Sequence, residues 1–61
     1  MKAGELIRTK AYSKDTKKYS YGVIVSVIAP AFICVHMYGG KYKGRHLYLR
    51  GYDLQATEVL G

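Results

Sequence analysis

Residues 19–28 read Tyr-Ser-Tyr-Gly-Val-Ile-Val-Ser-Val-Ile, and this run constrains the chain more than any other segment of it. Its β-branched and aromatic side chains are stiff at χ1 and suit a pleated surface better than a helical one. Ala29-Pro30 should end the run, because proline donates nothing to a sheet ladder and drives the preceding residue toward extended or turn geometry. A strand closed by a tight connection is therefore predicted.

The same rhythm continues downstream. In residues 32–38, Ile33, Val35 and Met37 fall on one face, while Phe32, Cys34, His36 and Tyr38 fall on the other, so one side should be core. Gly39-Gly40 supplies the positive φ angles of a hairpin turn, and residues 41–45 extend that loop. Residues 46–50 form a fourth strand with Leu47 and Leu49 inward and His46, Tyr48 and Arg50 outward. Upstream, residues 4–12 are the first candidate strand and residues 13–18 a polar, lysine-rich loop. Gly51-Tyr52-Asp53 reads as a turn, residues 53–56 as a single helical or 3₁₀ turn, and residues 57–60 as a last short strand.

Five short strands separated by frequent turn signals predict an all-β fold, a small barrel or sandwich, since closure removes the edges that invite aggregation. A chain of 61 residues is enough for one domain, residues 1–61, with a thin core. Cys34 has no second thiol to pair with, which points to a reducing, intracellular setting. No export signal opens the chain, so the mature protein is expected to begin at Met1.

A membrane-spanning helix is the rival reading of residues 19–40, where His36 is the only ionisable group apart from tyrosines and Cys34. Pro30 at its centre, the polar Ser26 and His36 and the β-branched content oppose it.

The order Gly4-Glu5-Leu6-Ile7-Arg8, then Tyr21-Gly22-Val23-Ile24-Val25-Ser26-Val27, then Ile33-Cys34-Val35-His36-Met37, then Asp53-Leu54, resembles the SH3-like barrels. It looks most similar to their KOW-type and small phage-encoded members, and the resemblance spans nearly the whole chain. It implies a small five-stranded SH3-like barrel acting as a binding module, in the cytoplasm of a host cell or in a virion. Such folds host many functions, so the implication is by analogy. The aromatic strand Leu47-Tyr48-Leu49 and the lysine-rich loop after Tyr12 depart from the pattern.

Enzymatic chemistry is not expected. The acids are Glu5, Asp15, Asp53 and Glu58, and their positions suggest no close carboxylate pair. Cys34 and His36 share a strand face but lack a third, orienting group. His36, His46 and Cys34 converge only if the third and fourth strands are neighbours, and no C-x-x-C or H-x-x-x-H spacing accompanies them, so no metal or cofactor is expected. The glycines form no phosphate-binding fingerprint.

What remains is surface chemistry. Ten Lys and Arg against four Asp and Glu give a net charge of +6, attractive to nucleic acid, anionic lipid or an acidic protein. Seven tyrosines are interleaved with cations, most densely across residues 38–52. Two functions follow as expectations: an accessory protein whose basic, aromatic loops engage an acidic protein partner, or a nucleic-acid-binding barrel. The residues expected to carry either are Lys41, Tyr42, Lys43, Arg45, Tyr48 and Arg50. Self-association through an unpaired strand edge is a third expectation.

Overall fold

The computed structural model describes residues 1–12 and 18–61. Within them run β1 (Leu6–Thr9), β2 (Ser20–Ala29), β3 (Phe32–Gly39), β4 (His46–Arg50), one helical turn α1 (Tyr52–Gln55) and β5 (Thr57–Val59). The basic loop expected at residues 13–18 lies outside the described residues except for Lys18, which is exposed. Pro30 and Ala31 make the turn between β2 and β3, so the run from residue 19 to residue 40 is a hairpin rather than a helix. Among the described residues no helix is long and apolar enough to cross a membrane.

The fourth strand spans the five residues expected, whereas the first is shorter than residues 4–12 for a local reason. The Thr9 hydroxyl accepts the Ala11 N–H at 3.0 Å, which takes that donor out of the ladder. Tyr12 then adopts φ 62, turning the chain away from the sheet. At the other end, Gly4 N–H donates to the Ile24 carbonyl at 2.7 Å and Ile24 N–H to that of Glu5 at 2.9 Å, so pairing with β2 begins before β1 itself.

The strands form one antiparallel sheet in the order β4-β3-β2-β1-β5. The all-β expectation holds, and the five strands form an open sheet with β4 and β5 as its two edges. β5 is only three residues long, and α1 packs against both edge strands in the place where a closing ladder would run.

Three register shifts interrupt the β2–β3 hairpin, leaving Val25 and Ile28 as extra residues on β2 and Tyr38 on β3. Bulges of this kind bend a strand and increase its right-handed twist, which curls the long hairpin. One face of the sheet carries the core, composed of Ile7, Ala11, Ile24, Ile33, Val35, Met37 and Leu49, with Tyr42, Leu47 and Leu54 packed against it. Gly22 lies opposite Met37 at a close approach of β2 to β3. A Cβ there would sit 2.8 Å from Met37 Sδ and 2.9 Å from the His36 carbonyl oxygen, so the approach requires glycine.

Thr9 is fully buried and still satisfied. Its hydroxyl lies 2.8 Å from that of Thr57, which in turn donates to the Asp53 carbonyl at 2.8 Å. This chain of hydroxyls pins α1 and the start of β5 to β1.

Candidate functional site

The outer face of the β3–β4 pair gathers the most chemistry. Its rows are set by register: Phe32 opposite Arg50, Cys34 opposite Tyr48, and His36 opposite His46. Alternation places all six side chains on the face away from Ile33, Val35, Leu47 and Leu49. Tyr48 is 56% exposed, and its ring centre lies 5.9 Å from that of Phe32. The Arg50 guanidinium stands 5.6 Å from the Phe32 ring centre, within cation–π range. Beneath Tyr48, Cys34 is a free thiol only 8% exposed, packed as a small apolar group.

Of the six residues expected to form the site, Tyr48 and Arg50 thus stand together on β4. Lys41, Lys43 and Arg45 are exposed in the β3–β4 turn and at the entrance to β4. Arg45 and Arg50 bracket β4, a span of about 17 Å at the usual rise per residue. Tyr42 is placed differently from the expectation of a surface contact. It is half-buried against the core, its hydroxyl donates to the Tyr12 carbonyl at 2.9 Å, and its ring meets that of Tyr12 edge-on at 6.1 Å. Its anchoring shapes the turn that presents the neighbouring lysines; Lys41 Nζ lies 5.8 Å from its ring centre.

The charges are unevenly committed. Glu58 accepts from Arg8 Nε at 2.8 Å and lies 2.6 Å from Nη2, and Arg8 stacks 4.3 Å from the Tyr19 ring centre, with Lys10 Nζ 4.9 Å from the same ring. The hydrogen bond to Glu58 raises the Arg8 guanidinium above its ordinary pKa. Glu5 is held by the N-terminal amine and the Lys2 N–H. Among the described residues, no carboxylate pairs with Lys41, Lys43, Arg45 or Arg50. The positive charge of the β1–β5 side is therefore partly neutralised, whereas that of the β3–β4 side meets no carboxylate among the described residues.

Next to this face lies an apolar projection. Val25, Val27, Ile28, Ala29, Pro30 and Ala31 are all exposed at the end of the β2–β3 hairpin, beyond the reach of the core. Ala29 pairs with Phe32 and Phe32 with Arg50, so the aliphatic tip runs directly into the aromatic and cationic cluster. The sequence marks Val25, Val27 and Ile28 as strand and Ala29-Pro30 as its end; that the tip stands clear of the core follows only from where the bulges and the short β4 leave it.

Among the described residues no three His, Cys, Asp or Glu side chains come together in a way that would hold a metal ion. Comparisons of the chain with protein-family models, with curated proteins and with solved structures each found no match.

Proposed function

We propose that the chain is a small, non-enzymatic protein-binding module whose outer β3–β4 face docks an acidic, partly apolar segment of a partner protein. The observation that carries this reading is continuity: the exposed aliphatic tip, the Phe32–Tyr48–Arg50 cluster and the exposed cations of the β3–β4 turn follow one another along the β3–β4 pair. Aromatic rings and arginine supply binding area and bidentate carboxylate recognition, and the aliphatic tip suits a protein surface better than a phosphate backbone. Carboxylates on the partner complement the cations.

An SH3-like arrangement is part of the same proposal. The strand order, the helical turn between β4 and β5, and the bulged, curled β2–β3 hairpin support it. A phage accessory role, with a virion component or a host enzyme complex as partner, rests on the resemblance stated above.

Nucleic-acid binding is the second reading, favoured by the exposed Tyr48 ring on a strand bracketed by the exposed Arg45 and Arg50. A titration of the protein with two probes at low and moderate salt separates the two. The probes are a glutamate-rich peptide with interspersed leucines and a single-stranded oligothymidylate. Tighter binding of the peptide, only partly weakened by salt, supports the protein-binding reading. Tighter binding of the oligonucleotide, with a log–log salt slope near about −3 for four phosphates, overturns it in favour of nucleic acid. Failure of both probes to bind counts against both.

A further inference from the structure

We infer that His36 and His46 form a two-imidazole site for a divalent late transition-metal ion of the nickel, copper and zinc group. The two residues are cross-strand partners on β3 and β4, with ring centres 5.1 Å apart. Met37 N–H donates to the Arg45 carbonyl at 2.8 Å, which makes the neighbouring row hydrogen-bonded. By the alternation of antiparallel ladders, His36 and His46 then form a non-hydrogen-bonded pair, the geometry that brings opposing side chains closest.

The spacing matches chelation. An imidazole bound through one nitrogen at about 2.0–2.1 Å has its ring centre about 3.2 Å from the metal, so two ligands subtending about 90–110° have ring centres about 4.5–5.2 Å apart. The observed 5.1 Å falls in that interval with no movement of either strand. What must change is ring orientation: the imidazoles now stand edge to face at 71°, and side-chain rotation is needed to aim one nitrogen of each at a common point.

The nitrogens are available for it. Among the described residues neither imidazole is engaged in a hydrogen bond, His46 is exposed and His36 is half-exposed. Imidazole is a good ligand for nickel, copper and zinc and a poor one for magnesium and calcium, which sets the class of ion. With two protein donors, water completes the coordination. Cys34 precedes His36 by two residues on the same face, but its thiol is buried, and among the described residues no third donor converges on the pair. The net charge of +6 works against any cation and keeps the site modest in affinity.

Nickel is the probe of choice, because unlike cupric ion it does not oxidise the Cys34 thiol. Calorimetric titration of the full chain with Ni²⁺ at pH 7.5 should give one saturable site. His36→Gln and His46→Gln should each weaken it by about tenfold or more, since each removes one arm of a chelate. Cys34→Ala should leave it unchanged. No saturable binding up to about 1 mM, an affinity too weak to count as a site, would overturn the inference. So would a site that survives both histidine substitutions, which would belong to the terminal amine or to Cys34. His46 is exposed, so its variant keeps the fold, and circular dichroism verifies this.

Discussion

The Tyr12 hydroxyl donates to the Tyr48 backbone carbonyl at 2.9 Å, fastening the segment after β1 to the free edge of β4 across 36 residues. No ladder joins β4 to β5, and this bond does part of the work a ladder would do. Tyr12 is held in turn by the Tyr42 hydroxyl on its carbonyl, so two tyrosines hold each other against the open side of the sheet. Tyr12→Phe keeps the ring and removes the donor. The expected loss is about 0.5–1.5 kcal/mol, the net worth of one hydrogen bond. In a domain of this size that lowers the thermal midpoint by several degrees, with circular dichroism as the readout.

The same hydroxyl gives stability a pH dependence. Burial, and then the nearby Asp53 carboxylate, raise the Tyr12 pKa above its ordinary 10.0. The folded state therefore holds this proton more tightly than the unfolded state. Its contribution is complete below pH 10 and is lost as pH rises through the folded-state value. Urea midpoints measured across the alkaline range should fall for the native chain above about pH 10 and fall less steeply for Tyr12→Phe. Equal slopes would show that Tyr12 is not the group responsible.

Gly22→Ala tests the close approach of β2 and β3. The added methyl meets the His36 carbonyl, which is backbone and cannot swing aside, so the hairpin must shift. An expected cost of about 1–3 kcal/mol follows from overpacking, measured by chemical denaturation.

Leu49→Ala and Val27→Ala should separate the core from the hairpin tip. Leu49 is fully buried, and its truncation costs about 2–5 kcal/mol, comparable to the whole stability of a domain this small. Val27 is 42% exposed although its partner Ile33 is fully buried, and its truncation should stay within about 0.5 kcal/mol. If the tip is a contact surface, Val27→Ala lowers affinity for the glutamate-leucine peptide while leaving stability alone.

Much of this architecture is legible in the sequence, because period-two alternation is written directly into residues 32–38 and 46–50. Ile33, Val35, Met37 and Leu49 are buried as that alternation requires. Alternation assigns faces but not registers. It puts His36 and His46 outward without indicating that they oppose each other, and the extra residues at Val25, Ile28 and Tyr38 carry no pattern at all. The half-buried position of Tyr42 is not legible in the sequence for a related reason. Whether a turn tyrosine points out or folds back is decided by the turn's own backbone, here shaped by Gly40 at φ 99, and by the presence of Tyr12 as a distant partner.

The central claim is that the outer β3–β4 face and the adjoining hairpin tip form the docking surface. Its most direct test is a ¹H–¹⁵N spectrum of the labelled protein titrated with the glutamate-leucine peptide. The account requires the largest shifts at residues 27–32 and 45–50, with Leu6, Arg8 and Glu58 on the opposite side nearly still. Shifts concentrated on β1 and β5, or spread evenly over the molecule, would contradict it.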